Sequence, residues 1–373
     1  MTGARHTDVA IVGGGVIGCS IARALASEGL DVTIVDRAKI GRESSYDAAG
    51  MLAPQAEAEQ PGPFLDLCLE SRDMFATLAG ELFDEVGLDV WYRADGTLLL
   101  AFDEKEAAHL RARAKAFRGM GLECELLTPS AARRAEPALG PNVAAALSVP
   151  GDHQVDNRKL VEAYSLSCFA RGVHIIEHAP VRAIARDESG RVSGVDTTVG
   201  RIAAETVIVA AGCWSNFVED FPVPVEPVKG QMLMLEMGSP PCRKVLRSER
   251  CYVVARIDGR VLVGATMERV GFDKSVSAKS VGSLLEAGRE IAPSLANAFG
   301  GEAWAGLRPA TPDGLPAIGQ LEDGLYAATG HFRNGILLAP VTARIVADAV
   351  MDREPHASAA MLDPGRFASR PLA

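Results

Sequence analysis

The stretch that decides the fold runs from Asp8 to Asp36 and reads DVAIVGGGVIGCSIARALASEGLDVTIVD. It begins with an uninterrupted apolar run, passes through glycines into apolar residues at helical spacing, and ends in a second apolar run. Uninterrupted apolar runs are typical of strands that are buried on both faces in parallel sheets. The stretch therefore predicts a strand, a tight turn, a helix and a second strand, which form one βαβ unit.

The glycines of this unit have the spacing of a dinucleotide-binding fingerprint. We expect Gly13 to form the turn, Gly15 to let the backbone approach a pyrophosphate, and Gly18 to let the helix pack on the strand. The helix N-terminus offers free N–H groups to the anion. Asp36, at the end of the second strand, is predicted to accept hydrogen bonds from a ribose diol, which disfavours NADP. NAD and FAD both remain compatible with this unit.

A segment of small residues follows the second strand. From Gly41 to Pro54 it reads GRESSYDAAGMLAP, and it has little bulk between Tyr46 and Met51. A flat ring stacked against this backbone would explain the composition, and a flexible loop would explain it equally well.

The end of the chain favours a flavin. In LYAATGHFRNGILLAPVTARIVADAV, a strand is followed by Arg333 and Asn334 and then by a long apolar helix that begins near Gly335 or Ile336. A helix N-terminus carries about half a positive charge. Aimed at the pyrimidine edge of a flavin, it would stabilise the anion that forms when the ring accepts a hydride.

A second domain is predicted after the proline-rich stretch Phe221–Gly230. The run CYVVARIDGRVLVGATM has the dipeptide Asp258–Gly259 between two strand-like runs, which predicts an antiparallel hairpin with a two-residue loop. Counting outward from that loop places Tyr252 opposite Ala265. Because residues two apart share a face, Met267 is expected on the same wall as Tyr252.

These elements predict an α/β protein in which an FAD-binding, Rossmann-like, doubly wound domain is discontinuous in sequence. We assign residues 1–80, 150–220 and 306–373 to that domain. Residues 81–149 and 221–305 are assigned to a substrate-binding α+β domain that contains an antiparallel sheet.

Composition excludes several classes of protein. The 373 residues carry a formal charge of -10 without a basic cluster, which argues against a nucleic-acid partner. Seven scattered cysteines without a C-x-x-C pair, and no cluster with metal-ligand spacing, predict reduced thiols and no metal. The chain shows no signal peptide and no apolar run of the roughly 18 residues that cross a bilayer, so we expect a cytoplasmic location without a membrane partner.

Four parts of the sequence together resemble the flavin-dependent amine oxidases of the D-amino-acid oxidase type. They are the glycine fingerprint, the segment GRESSYDAAGMLAP, the hairpin strands YVVAR and GRVLVGATM, and the C-terminal runs WAGLRPATPDGLPAIG and GHFRNGILLAP. The resemblance covers about residue 8 to about residue 350. It implies non-covalent FAD, whose ring would be the flat group beside the small residues. The cofactor-binding residues that it implies are Gly13, Gly15, Val16, Ile17, Gly18, Asp36, Arg37, Arg42, Ser44, Ser45, Ala49, Gly50, Met51, Val181, Ala211, Gly212, Trp214, Arg308, Gly330, His331, Arg333, Asn334, Gly335 and Ile336.

The same resemblance implies a substrate site. Arg308 would pair with the substrate carboxylate, and Tyr252 would donate a hydrogen bond to it. Met51 and Met267 would line a small pocket, with Arg333 near its mouth or the flavin. No residue is expected to act as a general acid or base, because the reaction is a hydride transfer to the flavin.

The implied activity is oxidative deamination of glycine or a similarly small amine to the imine, with oxygen reduced to hydrogen peroxide. The imine would then give glyoxylate and ammonia, or supply the thiazole ring of thiamin, and the resemblance also suggests a homo-oligomer. Arg250 stands where relatives carry His, so substrate preference is open. Three alternatives remain: a D-amino-acid or sarcosine dehydrogenase or oxidase with another electron acceptor, an NAD-dependent dehydrogenase, and a subunit that only binds FAD.

Overall fold

The computed structural model describes residues 5–58 and 61–367. The strands in this part of the chain are β1 (Arg5–Val12), β2 (Val32–Val35), β3 (Met51–Leu52), β4 (Thr97–Ala101), β5 (Glu125–Leu127), β6 (Ala145–Val149), β7 (His153–Gln154), β8 (His174–Ile176), β9 (Val181–Arg186), β10 (Val192–Thr197), β11 (Gly200–Val209), β12 (Glu226–Glu236), β13 (Val245–Arg247), β14 (Tyr252–Ala255), β15 (Arg260–Gly264), β16 (Gly300–Ala310), β17 (Ala317–Glu322) and β18 (Leu325–Thr329). The α-helices are α1 (Val16–Ser27), α2 (Ser44–Asp47), α3 (Pro54–Glu57), α4 (Pro63–Asp73), α5 (Phe75–Val86), α6 (Glu104–Gly119), α7 (Pro129–Ala135), α8 (Asn157–Ala170), α9 (Ala278–Ile291), α10 (Gly335–Val350) and α11 (Ala359–Leu362).

The first sheet has the order β17-β18-β11-β1-β2-β8, and β10 and β9 extend from β11. Strands β18, β11, β1, β2 and β8 run parallel. The predicted βαβ unit is confirmed as β1, α1 and β2, and its apolar runs are buried as expected. Helix α8 begins directly after Asp156, whose carboxylate accepts hydrogen bonds from the N–H groups of Arg158 and Lys159.

The second sheet has the order β16-β12-β15-β14-β13-β4-β6-β5, and helix α9 packs against it. Its neighbouring strands are antiparallel, as predicted, with one exception: β13 and β4 are parallel. Strand β12 begins at Glu226, within the proline-rich stretch, and continues into this sheet. The described residues contain no helix that is long and apolar enough to cross a bilayer.

The predicted register of the β14–β15 hairpin is wrong by one residue. Tyr252 lies opposite Gly264 instead of Ala265. The Arg256 N–H donates to the Arg260 carbonyl at 2.7 Å, so three residues form the loop. Gly259, at φ +92°, supplies the left-handed residue that such a loop requires.

Two of the predicted domain boundaries fall inside regular elements. Residue 81 lies within α5, and residue 306 lies within β16, which spans the edge of the second sheet from Gly300 to Ala310. Residues 306–310 therefore belong to the second sheet, because they pair with β12 along the whole strand. The two-domain division itself stays a prediction.

Candidate active site

A cavity of about 750 Å³ lies between the two sheets. On one side it is lined by residues at the carboxyl ends of β1, β2, β11 and β18, and on the other by residues of β12, β14, β15 and β16. In open α/β sheets, ligands bind at the carboxyl ends of the parallel strands. We call the part near the first sheet the cofactor end and the part near β14 and β16 the substrate end.

The fingerprint glycines shape the cofactor end. Gly13 has φ +105°, and a Cβ there would lie 2.6 Å from the Ala210 carbonyl oxygen. A Cβ on Gly18 would lie 1.9 Å from the Gly13 carbonyl oxygen. Gly13 and Gly15 line the cavity, whereas Gly18 lies behind it and lets α1 approach β1. Gly13 thus forms the turn and Gly18 allows the close contact between helix and strand, while the approach of Gly15 to a pyrophosphate stays a prediction.

Polar groups border this glycine turn. The Asp36 carboxylate accepts hydrogen bonds from the Gly14 N–H at 2.7 Å and from the Ala38 N–H at 2.8 Å. Burial raises the pKa of Asp36, and these two N–H groups oppose the rise. The Ser45 hydroxyl accepts from the Val16 N–H at 3.0 Å, at the start of α1. Asp36 and Ser45 therefore hold the glycine turn and the start of α1 in place at the cofactor end.

The small residues of GRESSYDAAGMLAP are explained by two different kinds of contact. Gly50 has φ +70°, and a Cβ there would lie 2.1 Å from the Val155 carbonyl oxygen, so close contact with this chain already requires glycine. Ala48 and Ala49 instead face the cavity. The Ala49 carbonyl accepts from Arg256 at 2.7 Å, which holds the segment in place. The segment is a fixed wall of the cavity, and the flexible-loop interpretation is not supported.

Most of the predicted cofactor-binding residues line the cavity, and three do not. Gly18 lies in α1 and faces the Gly13 carbonyl, Gly330 packs against Thr311, and Arg42 is exposed with its guanidinium 4.7 Å from the Tyr46 ring centre. The predicted residues that line the cavity are Gly13, Gly15, Val16, Ile17, Asp36, Arg37, Ser44, Ser45, Ala49, Gly50, Met51, Val181, Ala211, Gly212, Trp214, Arg308, His331, Arg333, Asn334, Gly335 and Ile336.

Helix α10 begins at Gly335, as predicted, and its first residues line the cavity. His331 precedes it, is buried, and lies 3.1 Å from the Thr342 hydroxyl through Nε2. Burial lowers the pKa of His331 to about 3, so its ring is neutral at physiological pH. A neutral, buried imidazole is a poor proton donor.

Arg308 and Tyr252 meet at the substrate end. The Arg308 guanidinium donates to the Thr266 carbonyl at 3.1 Å and contacts the Tyr252 hydroxyl, which in turn donates to the Met232 sulfur at 3.0 Å. Among the described residues, Arg308 makes no ion pair with a carboxylate. Burial lowers the pKa of Arg308, as expected for a desolvated cation without a carboxylate partner.

Two glycines that the sequence analysis passed over make room for these groups. A Cβ on Gly230 would lie 2.3 Å from the Arg308 guanidinium. A Cβ on Gly264 would lie 2.6 Å from the Tyr252 hydroxyl oxygen. Their signal in the sequence was glycine within an otherwise strand-like run, which indicates close approach of another group.

A second charged cluster was missed. The Glu57 carboxylate, at the end of α3, forms ion pairs with Arg247 and with Arg333, the latter at 2.8 Å. Burial would raise the pKa of Glu57, but the two arginines outweigh it and hold the pKa below its usual range. In the sequence, Glu57 is one of several acidic residues and nothing distinguishes it. We call these three residues the Glu57 cluster.

The remaining predicted pocket residues also border the cavity. Met51 is half-buried, and Met267 has 66% of its surface exposed at the opening. Arg250 lies at the opening too, where it is paired with Glu290 on α9. Met232 also faces the cavity, beside Tyr252. No group of three potential metal ligands occurs within the described ranges.

Residues 8–349 match the family described as "DAO: FAD dependent oxidoreductase". The chain belongs to this family. It is 38% identical over 354 residues to a glycine oxidase from Geobacillus kaustophilus, a match that covers 93% of each chain. It is 37% identical over 369 residues to a bifunctional protein ThiO/ThiG from Synechocystis, which covers 97% of this chain but 54% of that protein. Because the family is FAD-dependent, the interpretation of the chain as an NAD-dependent dehydrogenase is excluded.

The crystal structure of glycine oxidase from Geobacillus kaustophilus superposes with a TM-score of 0.92 at 35% identity, and covers 99% of this chain and 100% of that one. The predicted α/β, FAD-binding fold is confirmed by this likeness. The chemistry of the cavity fits the cofactor, because a glycine turn and the N-termini of α1 and α10 face the same space. The cofactor is FAD.

Proposed function

We propose that the protein oxidises glycine, or a similarly small amino acid or amine, to the imine and reduces oxygen to hydrogen peroxide. The observation that carries this proposal is the Arg308 guanidinium, desolvated, without a carboxylate partner in the described chain, and beside the Tyr252 hydroxyl. Relatives that bear the name glycine oxidase support the choice of substrate. FAD, when bound, supplies the two-electron oxidation of the substrate and the later reaction with oxygen.

In this proposal Arg308 binds the substrate carboxylate through its fork of parallel N–H groups. Burial raises the pKa of the Tyr252 hydroxyl, which keeps it protonated as a donor to the same carboxylate. The Tyr252 hydroxyl, which here donates to the Met232 sulfur, would donate to the substrate carboxylate instead, because a carboxylate is the stronger acceptor. Two donors on one carboxylate fix the orientation of the α-carbon, and orientation lowers the barrier without an acid or base.

The positive charge of the pocket also selects the protonation state of the amine. Arg308, Arg247 and Arg333 place three guanidinium groups around one carboxylate, that of Glu57. Nearby positive charges disfavour an ammonium group and lower its pKa. Glu57 is a weak base, because its arginine partners hold its pKa low. The pocket therefore favours the neutral amine, whose nitrogen lone pair assists loss of a hydride from the α-carbon.

The test is the visible absorption spectrum of the purified protein without oxygen, before and after addition of glycine. Loss of the flavin band is expected, and oxygen uptake should follow when air is admitted. A stable band with glycine but bleaching with sarcosine or D-alanine would move the substrate to that class. Bleaching without oxygen uptake would support a dehydrogenase that uses another acceptor.

Three further predictions belong to this proposal. The imine would supply the thiazole ring of thiamin, which the ThiO/ThiG relatives support by name. A homo-oligomeric assembly and a cytoplasmic location are also proposed. The role in thiamin synthesis is tested by comparing growth without thiamin in cells with and without the gene. The homo-oligomer is tested by sedimentation of the purified protein.

A further inference from the structure

A buried arginine lies behind the segment of small residues that borders the cavity. Arg256 directly follows β14 and has 3% of its surface exposed. Its guanidinium donates to the Val155 carbonyl at 2.7 Å and to the Ala49 carbonyl at 2.7 Å. It also donates to the Asn157 side-chain oxygen at 3.1 Å. One side chain therefore connects the second sheet, the border of the cavity and the start of α8.

Asn157, the first residue of α8, holds the same segment at its other end. Its buried side-chain amide donates to the Ser45 carbonyl at 2.9 Å and to the Tyr46 carbonyl at 3.0 Å. We call residues 45–50 the cavity wall, because all of them except Tyr46 line the cavity. Arg256 and Asn157, which are hydrogen-bonded to each other, thus hold both ends of this wall.

The contact with Arg256 also sets the direction of a backbone donor in the cavity wall. In a planar trans peptide, the C=O group and the following N–H point in opposite directions. The Ala49 carbonyl is directed at Arg256, so the Gly50 N–H points away from Arg256. Gly50 is buried and lines the cavity, and within the described residues its N–H donates to no acceptor. Because a buried N–H without a partner is costly, this donor suits an acceptor atom of the bound cofactor.

An ion pair alone does not account for the position of Arg256. Its Nε lies 3.9 Å from the Asp156 carboxylate, which Arg260 approaches more closely, at 2.8 Å. Burial lowers the pKa of Arg256 to about 10, so the side chain stays protonated at neutral pH. Moving a guanidinium out of water is unfavourable unless its donors find acceptors. Here the acceptors are mainly backbone carbonyl groups in and beside the cavity wall.

We propose that Arg256 is a positioning residue for FAD, which acts through the cavity wall. Its guanidinium fixes the Ala49 carbonyl and thereby presents the Gly50 N–H to the cofactor. Asn157 supports the other end of the same wall. The inference goes beyond the proposed function, because it concerns how the chain holds FAD and is the same whichever amine is oxidised.

The first test compares Arg256→Met with Arg260→Met. The two variants are matched, because both arginines contact Asp156 but only Arg256 reaches the cavity wall. The FAD-loaded proteins are diluted and filtered, and the released FAD gives the dissociation constant. Arg256→Met should bind FAD about tenfold less tightly or worse, since a buried carbonyl loses its charged donor. Arg260→Met should lower the melting temperature and keep the affinity for FAD.

The second test measures the absorption spectrum and the midpoint potential of the bound flavin, which a purely structural role of Arg256 would leave unchanged. In Arg256→Met the band should shift and the potential should fall. The reason is that a positioned donor and a nearby positive charge both stabilise the anion of the reduced ring. Arg256→Lys keeps the charge without the planar fork of donors, so its values should lie between those of Arg256→Met and the unaltered protein. Asn157→Ala, which frees the other end of the wall, should also weaken FAD binding.

The inference is overturned if Arg256→Met binds FAD with unaltered affinity, spectrum and potential, or if Arg260→Met loses FAD to the same extent. An equal fall in melting temperature in both variants, with the flavin unchanged, would assign Arg256 to the stability of the hairpin alone. Should Arg256→Met fail to fold, Arg256→Lys and Asn157→Ala are compared with Arg260→Met in the same way. Substrate oxidation enters none of these measurements, so failure of the proposed function would leave their outcome unchanged.

Discussion

The two ends of the cavity are built in different ways. The cofactor end consists largely of backbone and small side chains, and its turn and the adjoining helix depend on Gly13 and Gly18, five residues apart in the sequence. The substrate end consists of long charged side chains from distant segments, and Glu57 and Arg333 are 276 residues apart. A backbone-built site leaves a motif in the sequence. A side-chain-built site is assembled only when the strands pack.

The comparison predicts that the two ends can be damaged separately, and the largest effect is expected for Arg308→Gln. Loss of the buried charged partner of the substrate carboxylate should lower kcat/KM for glycine by about 10²- to 10³-fold. The cofactor end is unchanged, so the content of bound FAD per chain should stay normal. Arg269→Gln, on the exposed surface, is the control and should behave like the unaltered protein. Near-normal turnover in Arg308→Gln would remove Arg308 from the substrate site.

Gly13→Ala is expected to damage the cofactor end of the cavity and not the substrate end. A residue with a side chain is strained at φ +105°, and its Cβ would meet the Ala210 carbonyl at 2.6 Å. The variant should lose about 2 to 4 kcal/mol of stability and most of its bound FAD. Gly80→Ala, in α5 with open space around the glycine, should be neutral or stabilising. The melting temperature and the flavin content are measured for both variants. Equal results for the two would contradict the role of Gly13 in forming the turn at the cofactor end.

A smaller effect is expected in the pH dependence of turnover. If the arginines favour the neutral amine, kcat/KM for glycine should rise with pH as the ammonium loses its proton. Arg333→Gln removes one positive charge, so the substrate amine becomes a stronger base and the rise should move to higher pH by about half to one unit. The profile is measured by oxygen uptake. A shift to lower pH would contradict this interpretation.

The smallest effect is expected for Ser45→Ala at the cofactor end. Its hydroxyl accepts from the Val16 N–H at 3.0 Å, and its loss should weaken FAD binding by up to about fivefold, or about 1 kcal/mol. Ser277→Ala removes a comparable hydroxyl from the start of α9, away from the cavity, and should change the melting temperature without changing FAD affinity. A large fall in kcat with normal FAD affinity in Ser45→Ala would be inconsistent with a role in the cofactor end alone.

The fold was largely predictable because its signals are local. Apolar runs identified β1 and β2, and the end of the last strand-like run identified the start of α10 near Gly335. The hairpin shows the limit of local reasoning. Asp258–Gly259 predicted the turn correctly, but the number of loop residues depends on whether Arg256 pairs with Arg260, and the dipeptide does not determine that.

By itself the sequence determined the βαβ unit, the glycine turn and the helix that faces the cavity, because each depends on residues that are neighbours in the chain. Likeness to a family also predicted that Arg308 and Tyr252 bind the substrate. Only the tertiary structure decided that Glu57 joins Arg247 and Arg333, that Met232 faces the cavity, and how much positive charge surrounds the substrate. The reason is physical: the charge balance of a pocket is a sum over side chains brought together by strand packing, and no short stretch contains that sum.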